Sequence, residues 1–313
     1  MSENQSSNPV KVWTALGTVY LVWGSTYLGI AILVKTAPPL ISMGTRFMLA
    51  GIILGFFLIV FKGKKILKIT LKEALATLFL GGLLLGFGLG NLTLAERYVP
   101  SGIAALIVAA LPIWVTLFQY LAGIVPDKRT LFGIALGIIG VAIIVLPNRD
   151  NTSESGENLA FWMLMVLFGN IAWAFGTFIT PRIGIPKNSF VLTTYQMFFG
   201  GVTLTLAGLI RGERINSESL SQITSTSLWA WIYLILIGSI LGYGAYIWLI
   251  THVSLSLAST YAYVNPIVAV ALGVLILSEP FSGLILLGGA VVILGVVLVL
   301  QSSRRATVKI PGQ

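Results

Sequence analysis

Hydrophobic residues fill ten long runs of the chain, and short polar segments separate them. The runs cover residues 12–34, 40–61, 74–94, 101–121, 131–146, 159–180, 190–210, 228–250, 257–277 and 283–300. An α-helix needs about 20 apolar residues to cross about 30 Å of hydrocarbon. The polar segments contain proline, glycine and charged residues, which end helices. The pattern therefore predicts an all-α membrane protein with ten transmembrane helices.

The composition excludes a soluble protein. Hydrophobic residues make up 57% of the 313 and charged residues only 9%, whereas about 25% of the residues in a soluble domain are charged. The polar residues 1–10 lack the basic region of a signal peptide, and no cleavage site follows the first run, so we expect the first helix to be retained. The chain has no cysteine, which excludes disulfides and cysteine-bound metals.

Lysine and arginine predict the orientation, because cytoplasmic loops are enriched in both. With a cytoplasmic amino terminus, 13 of the 19 basic residues fall on the cytoplasmic side and 5 on the opposite side. The cytoplasmic group is Lys11, Lys62, Lys64, Lys65, Lys68, Lys72, Lys128, Arg129, Arg182, Lys187, Arg304, Arg305 and Lys309. The opposite group is Lys35, Arg97, Arg149, Arg211 and Arg214. Both termini are therefore expected in the cytoplasm. The basic residues that give the net charge of +9 lie in short loops and not on one face, so nucleic acid is not an expected partner.

The second half of the chain repeats features of the first half in the same order. The segment VWGSTYLGI, residues 22–30, aligns with AWAFGTFIT at a shift of 150, which pairs Trp23 with Trp173. Further pairs are Gly51 with Gly201, Gly82 with Gly238, Gly86 with Gly242, Gly88 with Gly244, Pro112 with Pro266 and Gly140 with Gly295. Ordered matches of this kind indicate an internal repeat.

The predicted repeat is inverted, because each half contains five helices and an odd number reverses the direction of entry into the membrane. Inverted repeats let one chain alternate between inward-open and outward-open states, which is typical of secondary transporters. We predict a first repeat in residues 1–147 and an extracytoplasmic linker in 148–158. A second repeat follows in 159–301, and a basic cytoplasmic tail in 302–313.

Four segments resemble the EamA-type, ten-helix members of the drug/metabolite transporter superfamily. They are VWGSTYLGI, GTRFMLAG, NLTLAERYVPSGIAALIVAALPIW and SLASTYAYVNPIVAVALGVLILSEP. The resemblance extends from Lys11 to about Leu300 and is greatest for the YedA-like branch of bacterial inner-membrane exporters. It implies export of small metabolites such as amino acids, or of toxic amphipathic compounds. It also implies a central cavity lined by helices one to four and six to nine, with helices five and ten at the periphery.

Polar and aromatic residues occupy the middle of the first predicted helix. Side chains three and four residues apart are neighbours on a helix, and one face here contains Trp23, Thr26, Tyr27 and Ile30. We expect this face on the cavity wall, where the polar groups of its aromatic residues find partners. Trp173 is the repeat-related counterpart. Helix packing is the alternative for this face, and it is the preferred interpretation for Gly24 and Ser25.

Arg46 is the ionisable residue that lies well inside a predicted helix, about 10 Å from its outer end. An arginine near the bilayer centre costs about 2.5–3.5 kcal/mol, so it usually has a role. We expect Arg46 either to gate the outer side together with Glu96 or to bind a substrate carboxylate. The alternative is that its guanidinium reaches the lipid headgroups.

Further candidates for solute contact are Asn91, Tyr243, Tyr261 and Asn265. Tyr261 and Asn265 are four residues apart and share a helix face. Asn91 follows a stripe of glycines, and its amide is expected to meet either the solute or a neighbouring helix. The glycines of this stripe and its repeat are spaced four apart, which indicates helix packing rather than a phosphate-binding loop. They are Gly82, Gly86 and Gly90 in the third run and Gly238 and Gly242 in the eighth.

Pro112 and Pro266 lie inside the fourth and ninth runs at positions that the repeat pairs. Each removes a backbone donor and frees the carbonyl four residues earlier, at Val108 and Ala262. In a soluble helix interior this costs about 3 kcal/mol. A pair of hinges beside the substrate is the predicted role, and an inert kink is the alternative.

The ten runs contain no Asp or Glu at mid-membrane depth, which argues against antiport of organic cations through a buried carboxylate. Glu96 and His252 lie at helix ends, and we expect them to be too peripheral for coupling. One membrane arginine without a membrane lysine disfavours phosphorylated substrates. Neutral, aromatic or zwitterionic solutes fit better, with amino acids favoured.

The sequence therefore predicts a secondary transporter in the inner membrane of a prokaryote, functional as a monomer and without cofactor or metal. Efflux of drugs or toxic compounds by the same fold is the first alternative. An intramembrane enzyme acting on lipid-linked substrates would need clustered His, Asp, Glu or Cys at membrane depth. A scaffold or receptor subunit would need a sizeable soluble domain. Both of these are remote alternatives.

Overall fold

The computed structural model describes residues 9–146, 158–253, 255–258, 260–279 and 282–306. Within these ranges the chain forms fifteen α-helices. They are α1 (Pro9–Val34), α2 (Pro39–Lys62), α3 (Leu71–Leu80), α4 (Gly90–Ala95), α5 (Ser101–Val108), α6 (Leu111–Leu121), α7 (Lys128–Val145), α8 (Leu159–Ile179), α9 (Ser189–Ile210), α10 (Ser217–Ser221), α11 (Ser225–Tyr233), α12 (Gly244–His252), α13 (Leu255–Ala258), α14 (Tyr261–Leu277) and α15 (Gly283–Ala306).

Eight helical segments of the described residues are long and apolar enough to cross a membrane. They are Pro9–Val34, Pro39–Lys62, Leu71–Ala95, Ser101–Leu121, Lys128–Val145, Leu159–Arg182, Ser189–Ile210 and Ser225–His252. They correspond to the first eight predicted runs. The last two runs form apolar helices as well, within α14 and α15. The chain is thus an all-helical, multi-pass membrane protein.

Two of the long segments change from α-helical to π-helical geometry near their middle. A π-helical segment, Gly81–Leu89, joins α3 to α4, and a second, Leu234–Tyr243, joins α11 to α12. Such segments interrupt the α-helical hydrogen-bond ladder and often occur at functional sites. The first one packs on α9, where a β-carbon added to Gly86 would lie 2.8 Å from the side chain of Thr203. The predicted packing role of this glycine is confirmed.

Close backbone contacts hold α2 against α9. A β-carbon added to Gly51 would lie 2.9 Å from the carbonyl oxygen of Thr194, and one added to Gly201 would lie 2.6 Å from the carbonyl oxygen of Gly44. The shift that pairs Gly51 with Gly201 also pairs Gly44 with Thr194. The two contacts are therefore equivalent under the sequence repeat.

The backbones of α7 and α15 also approach closely, through contacts that are equivalent under the sequence repeat. An added β-carbon on Gly140 would lie 2.9 Å from the carbonyl oxygen of Gly288, and one on Gly295 would lie 2.6 Å from that of Gly133. The shift that pairs Gly140 with Gly295 also pairs Gly133 with Gly288. Each of these glycines lets two helix backbones approach more closely than a larger residue would allow.

The fourth predicted helix is divided rather than continuous. α5 ends at Val108 and α6 begins at Leu111, so Pro112 lies in the first turn of α6. A proline there loses no helical hydrogen bond, because the first-turn N–H groups have no partner within the helix. Pro112 therefore lies within the fourth membrane-spanning segment, as expected, but just after a break between two helices and not in the interior of a continuous one. Pro266 does lie inside α14, and the hinge function of both residues stays a prediction.

Candidate functional site

A cavity of about 70 Å³ lies between α1, α2, α8, the start of α4 and the two π-helical segments. Six of the candidate residues line it: Trp23, Thr26, Tyr27, Arg46, Trp173 and Tyr243. Ile30, the fourth member of the predicted helix face, lines it as well, and so do the apolar side chains of Phe47, Leu85, Leu89 and Leu92. Helices from both halves of the chain therefore form one cavity.

Aromatic rings surround Trp23. Its ring centroid lies 4.8 Å from that of Tyr246, 5.3 Å from Tyr261, 5.8 Å from Trp173 and 6.3 Å from Tyr243. Rings at such separations attract one another in edge-to-face and offset arrangements. The cluster presents flat apolar surfaces together with phenolic hydroxyl groups, which suits an amphipathic molecule.

Sequence reasoning missed two buried members of the surrounding shell. Tyr246 contacts Trp23, and its hydroxyl lies 3.0 Å from Oγ1 of Thr177. Because Tyr246 follows Tyr243 by three residues, the helix-face argument would have found it. Gln196 accepts a hydrogen bond from the Tyr243 hydroxyl at 3.0 Å. The sequence signal for Gln196 was that it is the single amide side chain within the seventh apolar run.

Arg46 lies inside the protein rather than at the membrane surface. Its side chain is 3% exposed, and Nε donates to the carbonyl oxygen of Leu234 at 3.1 Å and to Oγ of Ser239 at 2.8 Å. This burial contradicts the alternative in which the guanidinium reaches the lipid headgroups. Among the described residues the oxygens of Glu96 have no hydrogen-bond partner, so the expected pair of Arg46 and Glu96 is not formed in this conformation.

Three candidates lie in helix contacts outside the cavity wall. A β-carbon added to Gly169 would lie 3.2 Å from Cβ of Asn91, which places Asn91 against α8. The amide nitrogen of Asn265, oriented toward the carbonyl oxygens of Tyr20 and Tyr261, donates to them at 3.1 and 3.2 Å. Tyr261 packs on Trp23 from behind the wall. Direct contact of these residues with a solute stays a prediction.

Glu96 is buried, contrary to the expectation that it is peripheral. Its side chain is 6% exposed. His252 is exposed and stacks on Trp248 with ring centroids 4.7 Å apart, as expected for a peripheral residue. In the part of the chain that the structure describes, no group of three or more His, Asp or Glu side chains is placed to hold a metal ion.

A larger groove of about 450 Å³ lies on the outside of the bundle, between α1, α2, α10 and α11. Its wall is apolar apart from Ser42, Thr45 and Ser227, and contains no titratable side chain. Small-molecule sites normally combine an apolar wall with a few convergent polar groups. The smaller cavity has that combination, and we therefore take it as the candidate site.

The model of the EamA-like transporter family matches the chain twice, at residues 12–146 and 160–301. The uncharacterized inner membrane transporter YedA of Escherichia coli is 39% identical over 290 residues, which cover 91% of this chain and 89% of that protein. A probable amino-acid metabolite efflux pump of Salmonella typhimurium is 25% identical, with 94% and 96% covered. A protein of known crystal structure shares the fold, with a TM-score of 0.65 and 16% identity over 95% of this chain and 99% of that one.

Proposed function

Because the chain belongs to the EamA-like transporter family, we propose that it exports small amphipathic solutes across a bacterial inner membrane by alternating access. Amino acids are the favoured solutes. The observation that carries this proposal is the narrow, aromatic cavity to which both halves of the chain contribute. We infer the inner-membrane location from the relative YedA, which is named as an inner membrane transporter.

The size of the cavity supports alternating access. Binding sites for small molecules usually measure about 300–1,000 Å³, whereas this cavity measures about 70 Å³. Its wall is tightly packed, since Tyr27 is 7% and Tyr243 2% exposed. A solute enters such a site only when helices of the two halves separate, which is the motion that alternating access requires.

The glycine contacts support the inverted repeat. The contacts between α2 and α9, and those between α7 and α15, are each retained when the two halves are exchanged. The family model matches each half once. With five helices per half, residues 1–147 and 159–301 are related by a two-fold axis in the membrane plane, and both termini are cytoplasmic. Residues 148–157 of the predicted linker and residues 307–313 of the predicted tail lie outside the described residues.

The chemistry of the cavity favours a solute with a carboxylate. Arg46 is a buried cation on the wall, and its Nη2 lies beside Gly238, where an added β-carbon would be 2.9 Å away. Arginine binds carboxylates through charge-assisted hydrogen bonds, while the rings around Trp23 accept an apolar group. An organic cation would be repelled by Arg46, so efflux of neutral or anionic amphipathic compounds is the second candidate function.

Reconstituted protein tests this proposal. Proteoliposomes loaded with unlabelled phenylalanine should take up labelled phenylalanine by exchange, faster than protein-free liposomes. A thermal-shift screen against amino acids, nucleobases and antimicrobials extends the search, because a ligand at 100 times its Kd stabilises the native state by about 2.7 kcal/mol. The transport function is rejected if none of the compounds that stabilise the protein is exchanged faster than in protein-free liposomes.

A further inference from the structure

Glu96 is a buried carboxyl group that accepts no hydrogen bond from any of the described residues. Neither of its oxygens is accessible to solvent, and neither has a partner among the described residues. Transferring an isolated carboxylate into apolar surroundings costs far more free energy than burying an unpartnered hydroxyl group. The surroundings of Glu96 therefore fit the protonated acid better than the anion.

Two charged side chains act on Glu96, and their effects oppose each other. Arg46 attracts negative charge and Glu279 repels it. Arg46 directs its Nε to the carbonyl oxygen of Leu234 and to Ser239 instead of to Glu96.

Glu279 differs from Glu96 in having donors. Its Oε1 accepts from the backbone N–H of Ser101 at 2.9 Å, and its Oε2 accepts from that of Gly102 at 3.2 Å. These N–H groups begin α5, and a helix amino terminus stabilises negative charge. When two carboxyl groups interact and only one has donors, the charge stays on that one and the proton on the other. Glu96 is thus the one of the two carboxyl groups that fits the protonated form, since only Glu279 accepts hydrogen bonds from backbone N–H groups.

The position of Glu96 connects it to the solute cavity. Leu89 and Leu92 line the cavity, and Glu96 follows Leu92 by one turn on the same helix face. Glu96 therefore lies one helical turn beyond the cavity wall, at the turn between α4 and α5.

We propose that Glu96 is the proton-binding site that couples solute export to the proton gradient, an inference that rests on the proposed transport function. When the cavity opens to the cytoplasm, the Glu96 proton leaves to water and the ammonium group of a zwitterionic solute takes its place. When the cavity opens to the other side, the ammonium group departs and a proton from water returns. One proton enters the cell for each solute that leaves.

Infrared difference spectroscopy tests the proton site without any solute. At neutral pH the wild-type protein should show the carbonyl-stretch band of a protonated carboxyl group. Glu96→Gln should abolish the band and Glu96→Asp should retain it. The matched control is Glu73→Gln, since the Glu73 carboxylate accepts hydrogen bonds from Thr70 at 2.8 Å and is expected to be ionised. A band that survives in Glu96→Gln, or is absent from the wild type, overturns the assignment.

Solute accumulation driven by a pH gradient tests the coupling role of Glu96. With an interior one pH unit more acidic than the bath and the membrane potential held at zero, wild-type proteoliposomes should accumulate labelled phenylalanine about tenfold, because one pH unit corresponds to 1.36 kcal/mol. In Glu96→Gln the ratio of accumulation to exchange should fall about tenfold, and in Glu73→Gln it should not change. Wild-type exchange without gradient-driven accumulation overturns the coupling role and leaves the transport function intact. Absence of exchange removes the transport function, and the coupling role fails with it.

Discussion

Replacing Trp23 with alanine is expected to slow the exchange of labelled phenylalanine in proteoliposomes about tenfold or more. The ring of Trp23 contacts four other aromatic rings with centroids 4.8–6.3 Å away. An aromatic pair contributes about 0.5–1.5 kcal/mol beyond burial, and a loss of about 1.4 kcal/mol in solute binding is a tenfold effect. Initial rates at subsaturating phenylalanine measure the change.

The matched control for this prediction is Trp13→Ala. Trp13 belongs to the same helix, but its side chain is 65% exposed, so its loss should leave exchange within about twofold of wild type. Trp23→Phe keeps an aromatic ring and should recover part of the lost rate. A Trp23→Ala protein with wild-type thermal stability and a wild-type exchange rate would show that the solute binds elsewhere.

Gly201→Leu should have the largest effect on stability. A β-carbon at this position would lie 2.6 Å from the carbonyl oxygen of Gly44 and 2.6 Å from the backbone nitrogen of Met48. Backbone atoms of α2 cannot yield without separating α2 from α9. Overpacking usually costs about 1–3 kcal/mol, and we expect about 3 kcal/mol here. Thermal unfolding in detergent measures the loss.

Gly17→Leu is the control for this substitution. Gly17 lies in α1, and no atom lies within 4 Å of an added β-carbon. Leucine has a higher helix propensity than glycine by less than about 1 kcal/mol, so the variant should be as stable as wild type or slightly more stable. Equal losses of stability in the two variants would contradict the contact between α2 and α9.

The apolar runs predicted most of the helices, because a membrane requires a minimum length of hydrocarbon-compatible sequence. They did not predict the break at Ala109 and Ala110, since alanine is a strong helix former and the visible signal was Pro112. Nor did they predict the π-helical geometry of Gly81–Leu89. This segment is as apolar as the α-helical residues around it, so its composition gives no signal for the change in hydrogen bonding.

Part of the candidate site followed from helix periodicity. Trp23, Thr26 and Tyr27 line one cavity, as their spacing on a single helix face indicates. The burial of Glu96 could not be predicted in this way. Its place near a helix end suggested solvent, whereas exposure depends on how neighbouring helices pack around that end. Distance along the chain contains no information about that packing.

Labelling of single cysteines tests the inverted repeat most directly, since the chain has no cysteine of its own. The variants are Lys35→Cys, Lys64→Cys, Lys187→Cys and Arg214→Cys, all at exposed positions. A membrane-impermeant maleimide should label Lys35→Cys and Arg214→Cys in intact cells, and Lys64→Cys and Lys187→Cys only after permeabilisation. Labelling of Lys187→Cys together with Lys35→Cys in intact cells would mean that both halves enter the membrane from the same side, which contradicts the inverted repeat.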